Sequence, residues 1–93
     1  MGNQFREFSR DVTIINELGL HARSAAGIAK IARNAKSNVW ITKDRKKADA
    51  KSIIDILTLV CAQGSKITVT VDNCSDIHIL DNIVELIESG FGE

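Results

Sequence analysis

A nucleophilic side chain and a cation stand close together in the segment Gly19–Ser24, which reads GLHARS. His21 lies where a loop gives way to helical periodicity, so the unpaired amides of the first helical turn, including those of Ala22 and Ser24, point outward beside it. Arg23 adds a guanidinium within the same turn. A phosphate near His21 would therefore meet amide donors, the positive end of the helix dipole and Arg23. Because neutral imidazole is a competent nucleophile toward phosphorus, the segment predicts an anion site that contains a nucleophile.

The same residues permit a plainer interpretation, in which His21 is a surface helix cap and Arg23 is a solvated charge. The local sequence places no Asp or Glu at a spacing that would pair it with His21. A hydrolase needs such a base to activate water, so this pattern favours a site that holds a phosphoryl group without hydrolysing it. A base supplied by tertiary contacts would instead indicate a small phosphatase.

A second candidate site begins at Ser52, which precedes an apolar stretch. A hydroxyl at the N-cap followed three residues later by Asp55 resembles a capping box, and an N-cap stabilises a helix by about 0.5–2 kcal/mol. If the residues after Ser52 form a helix, apolar side chains lie on more of its surface than packing against one core would bury. We therefore expect an exposed docking patch near His21, with one or two of its side chains facing the core and basic neighbours attracting acidic partners. The predicted docking residues are Lys51, Ile53, Ile54 and Leu57.

Apolar periodicity predicts seven elements that position these residues. Strands are predicted over residues 11–16, 39–43, 46–50 and 67–71, and helices from residue 21, from residue 52 to the Gly64 region, and over residues 77–88. The order βαββαβα indicates an α+β fold of two layers, in which helices cover one face of an antiparallel or mixed sheet.

The composition excludes several classes of protein. The 93 residues carry 12 basic and 12 acidic side chains, and this zero net charge argues against a general nucleic-acid binder. No apolar run approaches the roughly 20 residues of a membrane span, and the first residues lack the pattern of a secretory signal. The two cysteines form no CxxC or Cys/His cluster, so we expect reduced thiols, a cytoplasmic location, no metal and no cofactor.

Two separated motifs resemble those of HPr, the histidine-containing phosphocarrier family of the phosphotransferase system. Gly19-Leu-His-Ala-Arg23, with Ala25 and Ala26 after Ser24, is similar to the family's phosphorylation-site motif, and Asp49-Ala-Lys-Ser-Ile-Ile54 is similar to the motif around its regulatory serine. The segments 63–68 and 88–93 also resemble family segments. The resemblance implies one HPr-like domain over residues 8–93, preceded by a flexible lead-in over residues 1–7.

The resemblance also implies a fold and roles. The fold is an open-faced sandwich of four antiparallel strands and three helices. His21 would accept a phosphoryl group on Nδ1 from phosphorylated enzyme I and pass it to an enzyme II sugar-permease component, while Arg23 neutralises the group. Ser52 would be the target of an ATP-dependent HPr kinase/phosphorylase. The chain would then be a carrier and not an enzyme, and we expect a monomer because its partners are transient.

An alternative within the family is a regulatory paralogue whose phosphorylation signals nitrogen or carbon status. The same His21 chemistry serves both functions. One departure bears directly on the site, because Ser24 stands where the family usually has proline. Serine keeps a backbone N–H and adds a hydroxyl, and we expect both to strengthen phosphate binding.

Overall fold

The computed structural model describes residues 8–93, and the lead-in predicted over residues 1–7 lies outside them. The elements follow the predicted order βαββαβα. They are β1 (Ser9–Thr13), α1 (Ala22–Ala32), β2 (Val39–Lys43), β3 (Lys46–Asp49), α2 (Ile53–Leu57), β4 (Lys66–Val71) and α3 (Ile77–Glu88), with short 3-10 turns at Cys74–Asp76 and Gly90–Gly92.

The four strands form one antiparallel sheet in the order β1-β4-β2-β3. β4 lies in the interior, where Val69 pairs with Arg10 of β1 and with Ile41 of β2. Its side chains alternate between buried Ile67, Val69 and Val71 and the partly exposed threonines between them, which leaves one face of the sheet open. The predicted open-faced α+β sandwich is confirmed.

A single apolar cluster fills the space between the sheet and the helices. Its largest fully buried members are Ile14, Ile28, Ile41, Ile56, Leu80, Ile83 and Ile87. All three helices contribute to this list, so each is held against the sheet by its own branched side chains. Among residues 8–93, no helix has the length and apolar character needed to cross a membrane.

Two predicted elements have the wrong extent. The first strand runs over Ser9–Thr13 and not over residues 11–16, and just beyond it Ile14 bonds the chain at Ser65 and Gly64 (Ile14 N to Ser65 O, 2.8 Å; Gly64 N to Ile14 O, 2.7 Å). The second helix has one and a half turns and ends at Leu57, well before Gly64. Its apolar continuation contributes buried side chains without being helical.

Lysine side chains help to end α2. The ammonium of Lys46 donates to the Thr58 carbonyl at 2.8 Å, and that of Lys43 donates to the Val60 carbonyl at 2.8 Å. Thr58 is the C-cap residue of α2, and a cation bonded to its carbonyl is a favourable partner for the C-terminal end of the helix, whereas Val60 lies beyond that end. Val60, two residues beyond the C-cap residue Thr58, is left-handed with φ 52°, so the chain does not resume the helix there.

Candidate functional site

His21 is the N-cap residue of α1, and the loop before it is fixed by a close backbone approach. Gly19 has φ 68°, and a Cβ at this position would lie 2.3 Å from the carbonyl oxygen of Cys61. The amide of Leu20 donates to that same carbonyl at 2.8 Å. Only glycine permits this approach in this conformation, so the loop is anchored two residues before the histidine.

The hydroxyl of Ser24 closes the start of α1. Its Oγ accepts a hydrogen bond from the backbone N–H of His21 at 2.9 Å and donates toward the carbonyls of His21 and Gly19, at 3.1 and 3.4 Å. Ser24 is only 2% exposed. The hydroxyl therefore acts as a helix cap, and the amide N–H of Ser24 is directed in return toward the His21 side chain, as in a capping box.

Ala22 and Arg23 are exposed at the first turn of α1. Their amides have no intrahelical acceptors, as at any helix start. Arg23 also lines a pocket of 190 Å³ that opens beside this turn. The other residues around that pocket are Ser24, Gly27, Leu86, Phe91, Gly92 and Glu93.

The imidazole of His21 is held by a carboxylate from the far end of the chain. Its Nε2 lies 2.6 Å from Oε2 of Glu93, which is 72 residues away in sequence. The other oxygen of Glu93, Oε1, accepts from Nδ2 of Asn16 at 3.0 Å. The same amide nitrogen of Asn16 donates to the Gly19 carbonyl at 2.7 Å. Loop, carboxylate and imidazole therefore form one connected network.

The carboxyl of Glu93 is ionised at neutral pH. The hydrogen bond from Asn16 and then that from His21 lower its pKa below the ordinary value, against a smaller opposing effect of burial. The charge of Arg23 lowers the pKa further. A negative group thus faces Nε2 of His21, and the carboxylate occupies that ring nitrogen.

Sequence reasoning missed both Glu93 and Asn16 as site residues. The local sequence offers no acidic partner for His21, and the alternative left open there, a carboxylate supplied by a tertiary contact, is what the folded chain shows. The two oxygens of Glu93 are engaged by His21 and Asn16, and phosphate release is the test of whether this carboxylate also activates water. The segment over residues 88–93 was assigned no function. The sequence feature that could have indicated this contact is the pair Gly90 and Gly92 around Phe91, because two glycines allow the chain to reverse in the left-handed conformation.

Ser52 is the N-cap of α2, as predicted. Its Oγ accepts from the Asp55 amide at 3.2 Å. In a full capping box the Asp55 carboxylate would accept from the Ser52 amide. Here Oδ2 of Asp55 accepts instead from the amide of Asp49 at 2.6 Å. Ser52 is partly exposed, and its hydroxyl lies at the start of a helix of five residues.

The predicted docking residues differ in exposure. Ile54 is 79% exposed, whereas Ile53 and Leu57 are partly buried against the core. Lys51 is also partly buried, and its ammonium donates to the Ala35 carbonyl at 3.4 Å. Three further exposed apolar side chains were not predicted, namely Ile15, Leu18 and Val60.

Other reactive groups lie apart from this network. His78 is exposed on α3, Cys74 is exposed, and Cys61 is a buried free thiol whose pKa is raised by burial. Within residues 8–93, no group of three or more His, Cys, Asp or Glu side chains is arranged to hold a metal ion.

The open-faced sandwich thus carries a histidine at the start of its first helix, beside an exposed arginine and the first-turn amides, which is the arrangement expected of a candidate anion site. The sequence model described as the PTS HPr component phosphorylation site matches residues 8–89. The chain belongs to the HPr family, the phosphocarrier proteins of the phosphotransferase system. The predicted family is confirmed.

Individual relatives agree with this assignment. The chain is 39% identical over 84 residues to the phosphocarrier protein HPr of Cupriavidus necator, covering 90% of this chain and 94% of the relative. It is 36% identical over 87 residues to the phosphocarrier protein NPr of Shewanella violacea, covering 94% and 96%. A crystal structure of HPr-C-His from Thermoanaerobacter tengcongensis superimposes with a TM-score of 0.86 at 38% identity, covering 91% and 96%.

Proposed function

We propose that His21 accepts a phosphoryl group on Nδ1 from phosphorylated enzyme I and passes it to the A components of enzyme II sugar permeases. The observation that carries this proposal is the position of His21 as the N-cap of α1, with the amides of Ala22 and Ser24 beside it. The imidazole side chain is 30% exposed, so a partner can reach it. The contact with Glu93 engages Nε2, and the proposed transfer uses the other ring nitrogen, Nδ1.

The transfer is a substitution at phosphorus. The lone pair of Nδ1 forms a bond to phosphorus while the bond from phosphorus to the donor atom breaks, and that electron pair leaves with the donor. The guanidinium of Arg23 and the first-turn amides offset the charge of the phosphoryl oxygens as they arrive. Transfer to the next partner reverses these steps, so the protein is a carrier and not a turnover catalyst.

Ser52 is proposed as the regulatory phosphorylation site, acted on by an HPr kinase/phosphorylase. Its partial exposure and its place at a helix start support this, because a helix N-terminus tolerates added negative charge. A phosphate of about −2 charges would also displace the cap to Asp55 and stand beside that carboxylate. The proposed docking residues Lys51, Ile53, Ile54 and Leu57 surround it, with Ile54 as the apolar contact.

A second candidate is the regulatory paralogue that signals nitrogen or carbon status. It is favoured by similarity to relatives named NPr, at 36% identity for those of Shewanella violacea and Proteus mirabilis. Both functions use the same His21 chemistry and differ in the partner that receives the phosphoryl group. In either case we propose one domain over residues 8–93, a monomer in the cytoplasm, with no nucleic-acid partner, membrane insertion or cofactor.

The test is intact mass after incubation with phosphoenolpyruvate and enzyme I. We expect one phosphoryl group, lost in acid, on the wild type and on a His78→Ala control, which removes the other histidine. His21→Ala should gain no mass. Phosphorylation of His21→Ala, or none of the wild type while an established HPr is phosphorylated in parallel, would refute the proposal. Release of free phosphate would indicate the phosphatase. Incubation of the phosphorylated protein with a sugar-specific acceptor in one reaction and a nitrogen-related acceptor in another would show which of the two carrier functions it has.

A further inference from the structure

Ser24 is the residue of the site at which this chain departs from the usual proline. It is the third residue of α1 and is 2% exposed. A proline at this position has no backbone N–H and no hydroxyl, so both polar groups that Ser24 adds beside His21 are features of this chain. The sequence predicts that both strengthen phosphate binding. In the unphosphorylated protein, however, both are engaged within the chain, and the partner of the amide is the more informative of the two.

The amide of Ser24 faces the imidazole of His21. The Ser24 hydroxyl accepts from the backbone N–H of His21 at 2.9 Å, and the Ser24 N–H is directed in return toward the His21 side chain, which completes a capping box. The far ring nitrogen, Nε2, lies 2.6 Å from Oε2 of Glu93. The near one, Nδ1, is as many bonds from the backbone as the side-chain oxygen of an N-cap asparagine. The ring atom that faces the Ser24 amide is therefore Nδ1.

We propose that the amide of Ser24 competes with the phosphoryl donor for the lone pair of Nδ1, which makes His21 a slower acceptor than it would be beside a proline. This role rests on the proposed function of His21. A lone pair that accepts a hydrogen bond is not free to attack phosphorus, so the ring has to leave the Ser24 amide before the new bond forms. Ser24 acts through the imidazole and is a positioning residue.

The Ser24 amide changes its acceptor during the transfer, but it keeps its proton. When Nδ1 attacks phosphorus, its lone pair becomes the N–P bond and the amide loses its acceptor. The phosphoryl oxygens then lie beside the same amide, and a charged oxygen is a stronger acceptor than a neutral nitrogen. When the phosphoryl group leaves, the electron pair of the N–P bond returns to Nδ1, which again faces the Ser24 N–H. The competition therefore acts at the start of each cycle.

The matched variants are Ser24→Ala and Ser24→Pro, because both lack the hydroxyl and only the alanine keeps the backbone N–H. Proline is accepted in the first turn of a helix, so we expect both variants to fold, and their melting temperatures check this. The first test is nitrogen NMR of the unphosphorylated protein with labelled histidine, at a pH where the imidazole is neutral. We expect Ser24→Ala to keep the wild-type shift of Nδ1. In Ser24→Pro that shift should move toward the value of an imidazole nitrogen without a hydrogen-bond donor.

The second test is the rate of phosphorylation by enzyme I. We expect Ser24→Pro to be faster than Ser24→Ala by about two- to tenfold, the factor that corresponds to one net neutral hydrogen bond. Equal Nδ1 shifts in the two variants, or a proline variant that is no faster than the alanine variant, would overturn the role of Ser24. Failure of the proposed function is a different result, because then the wild type itself would not be phosphorylated, whatever the NMR comparison shows.

Discussion

Substitution of Gly19 by alanine tests how firmly the loop before His21 is anchored. Gly19 is left-handed, with φ 68°, and an added Cβ would meet the Cys61 carbonyl oxygen at 2.3 Å and the Cα of Ala62 at 2.9 Å. The neighbours are backbone atoms, so they have little room to yield. The substitution therefore combines an unfavourable backbone conformation with a steric clash.

Gly64→Ala is the matched control, because Gly64 is also left-handed, with φ 92°, but no atom lies within 4 Å of its added Cβ. A left-handed alanine costs about 1–2 kcal/mol, and overpacking adds about 1–3 kcal/mol. We expect Gly64→Ala to lower the free energy of unfolding by about 1–2 kcal/mol and Gly19→Ala by about 2–5 kcal/mol. The difference between the two variants isolates the clash.

Urea denaturation measures both values, and the enzyme I assay measures the effect on the site. Relief of the clash at Gly19 requires the loop to move away from Cys61, which breaks the hydrogen bond from Leu20 and displaces His21. We therefore expect Gly19→Ala to be phosphorylated more slowly than Gly64→Ala at a temperature where both are folded. Equal losses of stability in the two variants would refute the argument that backbone contact with Cys61 fixes this loop.

Two further predictions concern stability. Asp76 is buried and accepts from the amides of Lys36 and Ser37 and from the Ser37 hydroxyl, and these bonds, that of the hydroxyl first, lower the pKa of its carboxyl. Asp76→Asn should cost about 2–3 kcal/mol of unfolding free energy near neutral pH, because the amide replaces an acceptor by a donor that faces donors. The stability that the ionised Asp76 carboxylate contributes is present above the pKa of the unfolded state and is lost as pH falls through the lower pKa of the folded state. The difference in unfolding free energy between wild type and variant, measured by urea titration, should therefore shrink below about pH 4. A difference that does not change down to the acid transition would contradict this. Val60 has φ 52° and is 74% exposed, so Val60→Gly should relieve about 1–2 kcal/mol of backbone strain and raise stability by about 0.5–1 kcal/mol after the entropy of glycine is subtracted. Calorimetry would show this as an increase in melting temperature, and a decrease would indicate that the Val60 side chain has a packing role.

Local sequence was sufficient for the features that depend on neighbouring residues. The strand β4 was predicted because Ile67, Val69 and Val71 alternate with threonines. His21 and Arg23 were placed at one helix start because a glycine-containing loop precedes a helical period. Both predictions depend only on the two-residue period of a strand or the 3.6-residue period of a helix, and the folded chain has both elements where the periods indicate them.

The end of α2 could not be predicted, because apolar pattern alone does not distinguish a helix from a buried irregular segment. Leu59 and Cys61 are buried in the same core as Ile56, so all three satisfy a hydrophobic pattern. The helix ends where Lys46 of β3 bonds the carbonyl of the C-cap residue Thr58, and Lys43 of β2 bonds the Val60 carbonyl just beyond it. That information lies in the packing of the hairpin against α2 and not in the segment itself.

The contact of Glu93 with His21 could not be predicted from local sequence either, because it joins two residues that are 72 positions apart. Under the proposed function, a carrier must accept a phosphoryl group and then release it. A proton on Nε2, beside the Glu93 carboxylate, makes the leaving group a neutral imidazole and not an imidazolate, which favours transfer. The negative charge of Glu93 also opposes that of the phosphoryl oxygens, while Arg23 and the amides attract them. Opposed contributions of this kind keep the phosphoryl group from being bound too tightly, and a site with Arg23 alone would retain it longer.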